Sequence, residues 1–486
     1  MSLDRILAEN SASTAIARNI ITDGRFEYTY ADLPTVIGEI RDHLARLGID
    51  RQASVAIGCS NSVPSALLLL TLLQDGCSFL VFPSSATDKS LKPTPHFCQY
   101  RITVSSPDTN ERDSGWPSRL IHVEVNSNHN GRPTARERLY LRTSGSMGIS
   151  KIAVHTHEKL IGNARNCVHK YGFSPESRVA IPVPIGHMYG LGAAFLPAIL
   201  TGSSIDLQDK TNVLKYLKRE KQFVPTIVFG TPTICEMLLK GYRAARTHYD
   251  VFVTSGQRIG QELFRTFDPL VGGRLVNQYG STEMGATAAC SPGDTTDRRA
   301  RTIGEPMTGV QLRIEPMADS NGPPSRTGQL ECLHPFAFEG YIDENGDSLR
   351  RCEAGDWYAT GDLAAAHQDG TISILGRADA SANRSGYLVR LHEIEQILET
   401  WQDIDEAAVI AETAGATRGD SITAFCVGEA GILLDVTEIR RRCHSALPPY
   451  AVPDDIRVVE ALPRLATGKV DRRALAEMAG KASHVA

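Results

Sequence analysis

No two cysteines in this chain stand at C-x-x-C spacing, although ten are present, at 59, 77, 98, 167, 235, 290, 332, 352, 426 and 443. Neither a zinc site nor a dithiol redox motif is therefore written into the sequence. Reduced, mostly buried thiols of a cytoplasmic protein are the expectation. An excess of positive charge is lacking too: 51 Lys and Arg stand against 56 Asp and Glu, a net charge of −5. That removes the basic field that draws in nucleic acid, and leaves small molecules or proteins as partners. The apolar run from Ala66 to Leu73 is too short to span a bilayer. The opening M-S-L-D-R-I-L-A-E-N has no signal-peptide core, so no membrane span is expected and the expected location is the cytoplasm. Two nucleotide fingerprints are missing as well. Lys151 follows Ser150 where a Walker A loop needs glycine, and precedes Ile152 where it needs Ser or Thr. After Gly190 and Gly192, the third glycine of a dinucleotide fingerprint is replaced by Phe195.

What is present is an ordinary globular composition, 42% apolar and 22% charged, in 486 residues. A chain of that length forms a large domain and at least one smaller one. Leu33, Ile37, Ile40, Leu44 and Leu47 recur at helical spacing up to Gly48. Val55–Ile57 reads as a strand, Pro64–Leu73 as a helix and Ser78–Phe82 as a strand. Such alternation predicts an α/β sheet.

The stretch from Leu141 to His157, L-R-T-S-G-S-M-G-I-S-K-I-A-V-H-T-H, sets two glycines and four hydroxyl residues ahead of a lysine. Glycines let the backbone turn and aim N–H groups, hydroxyls and the Lys151 ammonium at a polyanion, which makes a phosphate cradle. A helix over Glu158–Tyr171 is expected to face that cradle with its N-terminus. In N-Q-Y-G-S-T-E-M-G, Asn277 to Gly285, Tyr279 offers a flat face for a purine and Gly280 permits close approach. There Thr282 can donate to a phosphoryl oxygen and Glu283 can hold magnesium. This segment is read as a loop between strand and helix. In W-Y-A-T-G-D-L, Asp362 sits in an expected tight turn, where a carboxylate can accept from a ribose diol.

Taken in order, these segments resemble the adenylate-forming superfamily of acyl-CoA synthetases, peptide-synthetase adenylation domains and luciferases. Its phosphate loop, T-S-G-T-T-G-x-P-K-G, is matched by Thr143, Ser144, Gly145, Gly148 and Lys151, with a hydroxyl kept at Ser146. Met147, Ser150 and Ile152 depart from it. Pro184, His187 and Gly190 fit its P-x-x-H-x-x-G, and Tyr279 to Glu283 fit Y-G-x-T-E completely. The resemblance implies an acyl site lined by His187, Met188, Tyr189, Phe229, Gly280 and Met284. It implies nucleotide contacts from Gly256, Gln257, Asn277, Gln278, Tyr279, Asp362 and Arg377, although Gln257 and its neighbours depart from the usual S-G-G-A-P turn. His187, Thr282, Glu283 and Lys469 are the catalytic candidates it gives, the last from L-P-R-L-A-T-G-K-V-D-R-R-A-L. Ile303–Pro306 and Gly340-Tyr341 read as turns and strands without chemistry. G-R-A-D marks the boundary, giving a core domain over 1–378 and a C-terminal domain over 379–486. Asp379 is the implied hinge and Gly386 the implied passage for a thiol arm, with Asn383 where lysine is usual.

The expected fold is thus α/β: a large N-terminal domain of mixed sheets flanked by helices, with a β-barrel-like subdomain, and a small mobile α+β C-terminal domain. The expected function is ATP- and magnesium-dependent activation of a carboxylic acid to acyl-AMP, then transfer to CoA or to a separate phosphopantetheinyl carrier protein. Amino-acid-activating relatives place an aspartate near His187 to pair with the substrate ammonium, and here His-Met-Tyr stands there. An unpaired ammonium is costly in an apolar pocket, so an aryl or acyl acid is favoured over an α-amino acid. The alternatives are an adenylating enzyme that uses an amine or other small nucleophile, an amino-acid-activating protein, and a non-catalytic homologue that binds AMP or a partner.

Overall fold

The helix Val63–Gln74 carries apolar side chains all round, and Val63 to Leu73 are all buried. A helix without a polar face has to be covered on every side. It lies in one core to which two sheets contribute, Val55 and Phe79 from one, Ile21, Val179 and Ile181 from the other. This computed structural model describes residues 3–83, 93–105, 116–143, 151–208, 212–256, 259–316, 326–353, 355–377, 381–384, 387–412, 420–429, 431–464 and 470–481.

The chain divides into two compact units. The first comprises Met1–Arg313, Cys332–Tyr358 and Gln368–Ile372. Its nine-stranded sheet runs Glu305–Pro306, Gly285–Ala289, Leu275–Ser281, Val251–Thr254, Ile227–Gly230, Arg178–Ile181, Ser204–Leu207, Ile20–Thr22, Glu27–Thr29. The pairings from Leu275–Ser281 through to Ile20–Thr22 are parallel. Strands I-V-F-G and V-F-V-T are buried at every position, as strands covered on both faces must be. The eight-stranded sheet runs Ser348–Arg351, Gly340–Ile342, Lys151–Thr156, Arg138–Thr143, Ser78–Pro83, Ser54–Cys59, Tyr100–Val104, Ile121–Val125. Asn61 ties one sheet to the other: just past Ser54–Cys59, its amide donates to Ile181 O at 2.9 Å and Val183 O at 2.7 Å and accepts from Ile185 N at 2.8 Å. Those bonds also fix the start of the segment that holds His187.

The second unit comprises Ile314–Glu331, Ala359–His367 and Ser373–Ala486. Most of a four-stranded sheet falls in it, in the order Gln311–Pro316, Thr327–Leu333, Tyr358–Ala366, Ile372–Arg377. Its C-terminal part packs Leu391, Ile394 and Leu398 of the helix Leu391–Glu399 into a core shared with Val409 and Ala424. Those two belong to a three-stranded sheet of Ile404–Glu412, Ser421–Gly428 and Asp455–Val458. The helices Val436–Ala446 and Arg472–Lys481 complete an α+β arrangement. All ten cysteines are free thiols, and all but Cys352 are buried. Among the described residues no helix is long and apolar enough to cross a membrane.

Candidate functional site

Parallel strands that end side by side leave a crevice beyond their carboxyl ends, and open α/β sheets bind ligands there. In the first unit Gly230, Thr254 and Asn277 stand in one row across three such strands. Directly past that row come Ser255, Gly256 and the Gln278-Tyr279 pair. Gly256 turns the chain at φ +89°, a conformation that side chains with a Cβ disfavour. Ser255 is buried and donates to Gln278 O at 2.9 Å, and Tyr171 donates to Gln278 Oε1 at 2.7 Å, so Gln278 braces the strand. Tyr279 is half-buried.

The His187 segment leads into a π-helical turn, Tyr189–Phe195, a distortion frequent at functional sites. Its entry is tight: a Cβ on Gly190 would lie 2.1 Å from Pro184 O. The Tyr189 hydroxyl shares its proton between Gly230 O and Val253 O, each at 3.1 Å, which lays the ring across two strand ends. Phe229 is fully buried behind it, against Tyr189, Tyr171 and Phe173 at centroid distances of 5.8, 5.6 and 6.0 Å. Met188 and Met284 are buried and His187 is half-buried.

Glu283 does not lie between a strand and a helix, as the sequence suggested. The strand Leu275–Ser281 turns back as a hairpin into Gly285–Ala289, and Thr282, Glu283 and Met284 make the turn. Two glycines dictate this. Gly285 has φ +68°, and a Cβ on Gly280 would lie 2.2 Å from Gly285 O, so the close approach that Gly280 permits is to its own partner strand. Side chains from the neighbouring sheet and helix strap the turn. His155 donates from Nε2 to Thr282 O at 2.8 Å, and Asn163 Nδ2 reaches Met284 O at 3.5 Å. Burial pushes His155 down to about 4, so the ring is neutral near pH 7 and fit to serve as a donor. The Glu283 carboxylate accepts from the Tyr341 hydroxyl at 2.6 Å, and Glu283 O accepts from Phe338 N at 2.8 Å.

The phosphate-cradle segment joins the antiparallel strands Arg138–Thr143 and Lys151–Thr156, whose last pair is Thr143 with Lys151. Thr143 Oγ1 donates to Lys151 O at 3.2 Å. Ser144, Gly145, Ser146 and Gly148 lie outside the described residues. Lys151 is exposed, with its ammonium 5.5 Å from the centroid of the Tyr341 ring. The helix expected to face the cradle starts at the opposite end of this ladder from Thr143 and Lys151. His157–Tyr171 begins after the whole strand Lys151–Thr156, where Thr156 pairs with Arg138 at the other end of the ladder, roughly 16 Å away. The β-branched Ile152, Val154 and Thr156 extend the chain there, so the dipole serves Thr156, which caps the helix.

In the second unit Asp362 sits within the strand Tyr358–Ala366 and not in a separate turn; Gly361, at φ +75°, kinks the strand locally. Arg377 donates from Nη1 to Thr360 O at 3.0 Å and to Asp362 Oδ1 at 3.4 Å. Gln257, Asp379, Gly386 and Lys469 lie outside the described residues.

The sequence profile of AMP-binding enzymes matches residues 5–342, and that of their C-terminal domain matches residues 393–469. The chain belongs to the AMP-binding enzyme family. Over 355 residues this AMP-binding enzyme is 25% identical to a salicylyl-CoA synthase / salicylate adenylyltransferase of Streptomyces sp, covering 71% of this chain. It spans 64% of that relative's length, less than two-thirds. A 4-hydroxybenzoate–CoA/benzoate–CoA ligase of Rhodopseudomonas palustris is 25% identical, covering 94% of this chain and 90% of the ligase. The fold is that of ATP-bound MatB from Rhodopseudomonas palustris, with a TM-score of 0.81 at 22% identity, covering 98% of this chain and 99% of MatB. The first family match runs through Lys151, Glu283 and Tyr341, and the second ends on Lys469. His155, Asn163, Tyr341 and Tyr358 had no place in the sequence reading of the site. His155 and Tyr358 lay inside quoted motifs without a role of their own, and Tyr341 in a G-Y motif read as a plain strand.

Proposed function

We propose that this AMP-binding enzyme activates a carboxylic acid with ATP, releasing pyrophosphate and forming acyl-AMP, and then passes the acyl group to a thiol of CoA or of a separate carrier protein. The observation that carries this reading is the meeting of two distant motifs in the first unit, with Glu283 and Lys151 both gathered on Tyr341. Attack of a carboxylate on the α-phosphorus joins two anions, so the barrier falls mainly by alignment and by cancelling charge. Thr143, Ser144, Ser146 and Lys151 hold the phosphates, Asp362 and Arg377 the ribose, and Lys469 the substrate carboxylate.

Glu283 suits magnesium that arrives with the nucleotide. Among the described residues no cluster of three or more His, Cys, Asp or Glu could hold an ion by itself. One carboxylate completed by phosphate oxygens is the usual setting for magnesium, which when bound spreads the phosphate charge. A hinge at Asp379 alternates the C-terminal domain between a face that supplies Lys469 and one that brings Gly386 to the thiol step. The acid is aryl or acyl, without an α-amine. Tyr189, which Phe229 backs from within the core, and the absence of an acidic residue from Gly186 to Gly192 support that choice, as do relatives named for salicylate and benzoate.

A pyrophosphate-release assay over aryl, fatty and amino acids tests the reading, with mass spectrometry of products formed with CoA, a carrier protein or amines. Aryl acids should release pyrophosphate fastest and yield a thioester. Amino acids clearly best would overturn the choice of acid, amide products the choice of acceptor, and no release with any acid the assignment of catalysis. Lys469→Ala should abolish release yet leave thiolysis of a supplied acyl-adenylate largely intact.

A further inference from the structure

Tyr341 belongs to no motif with an assigned task, yet its side chain touches two of them. The phenol donates to Glu283 Oε1 at 2.6 Å, and the Lys151 ammonium lies 5.5 Å from the ring centroid, within cation–π range. A phenol has one proton, and here the carboxylate takes it. In the 3.0 Å contact between the Tyr341 and Tyr358 hydroxyls, Tyr358 is therefore the donor. Phe338, fully buried, backs the group: its ring meets Tyr341 and Tyr358 edge-on at 4.8 and 5.4 Å. Its backbone N–H holds Glu283 O, so the residue is fixed at its carbonyl and at one carboxylate oxygen. A ring that merely filled this space could be phenylalanine. The hydroxyl costs desolvation unless it has work to do.

Glu283 and Lys151 thus engage one side chain at two places, the carboxylate at its hydroxyl and the ammonium at its ring. We propose that Tyr341 is a positioning residue: by engaging Glu283 Oε1 it presents Oε2 alone to the metal ion that accompanies ATP, while its ring holds the Lys151 ammonium available to phosphate. The inference rests on the roles given above to Glu283 and Lys151.

Tyr341→Phe keeps the ring and removes the hydroxyl. ATP binding to the full chain, followed by isothermal titration calorimetry with magnesium and again with EDTA, reads the effect without turnover. Magnesium should tighten ATP binding in the parent protein, and in Tyr341→Phe that gain should shrink about tenfold while affinity in EDTA stays within about twofold. Glu283→Gln should remove the gain. The double variant should then be no worse than Glu283→Gln alone, because Tyr341 acts through Glu283. An undiminished gain in Tyr341→Phe overturns the proposal, and so does an equal loss with and without magnesium, the mark of a packing role. Should Tyr341→Phe fail to fold, Tyr358→Phe, which removes the hydroxyl 3.0 Å from that of Tyr341, should lower the gain about twofold; no change there also overturns it. A parent protein that binds no ATP overturns the nucleotide reading and this inference together, whereas a normal magnesium gain in both parent and variant overturns the inference alone.

Discussion

Glu283 in the first unit and Asp362 in the second are two acids that the proposed function gives to one nucleotide, and their surroundings hold them in different ways. Glu283 sits on a hairpin turn strapped by His155 and Asn163, with a 2.6 Å bond from the Tyr341 hydroxyl on its carboxylate. Asp362 sits beside a glycine at positive φ, 3.4 Å from the guanidinium of Arg377, a side chain 52% exposed. The first arrangement is short and backed by buried rings. The second is long and open to water, so ribose hydroxyls can displace it at little cost. A metal-holding oxygen gains from fixed geometry, because reorganisation during the reaction raises the barrier. A ribose contact needs only to close once the nucleotide is seated.

The largest expected effect falls on Glu283. Glu283→Gln keeps the shape and removes the charge, and ATP–pyrophosphate exchange should drop about 10²- to 10³-fold, mostly in kcat. A drop no larger than that of an Asp362 variant would break the contrast. Next comes stability. Arg299 clasps Asp268 at 2.8 and 3.0 Å and also donates to Leu275 O, all buried, at the start of the strand that leads to Glu283. Arg299→Ala strands the Asp268 charge and should cost about 3–5 kcal/mol in urea unfolding, against less than about 1 kcal/mol for Arg377→Ala. Similar costs would show that the two regions are equally rigid.

Acid should loosen the Glu283 region first. Burial lowers His155, His157 and His334 from 6.5 to about 4, so the folded protein keeps them neutral while the unfolded chain protonates them. Their contribution is intact above pH 6.5 and is lost as pH falls from there to about 4. Urea midpoints across that window should decline, and His155→Gln, which retains a donor for Thr282 O, should decline less steeply. A flat profile would remove these histidines from the account. The smallest effect is expected at Asp362: Asp362→Asn should raise the KM for ATP about tenfold with little change in kcat. A kcat effect as large as that at Glu283 would erase the distinction between fixed and adaptable acids.

Much of the fold is legible in the residue pattern. Helical spacing from Leu33 places the helix Leu33–Arg46, because one face of it must be apolar. The runs Val55–Ile57 and Ser78–Phe82 fall in the strands Ser54–Cys59 and Ser78–Pro83, and Pro64–Leu73 falls in the helix Val63–Gln74. The Glu283 segment was located but misread as a strand-to-helix loop, since nothing local reveals that Gly280 makes room for the carbonyl of Gly285. The helix after the cradle was found, but its direction was not, because six residues of strand intervene.

By itself the sequence determined the chemistry on offer: which segments turn, which carry hydroxyls, carboxylates or a lysine, and in what order. Those are properties of side chains and of local backbone freedom, which neighbours along the chain largely settle. Only the tertiary structure decided that Tyr341 joins Glu283 to Lys151, that His155 is a neutral donor beneath the turn, and that Gly280 serves its own hairpin. Each of these depends on burial and on strand register between residues far apart in the chain, and a hydrogen bond across such a distance leaves no periodicity for the sequence to show.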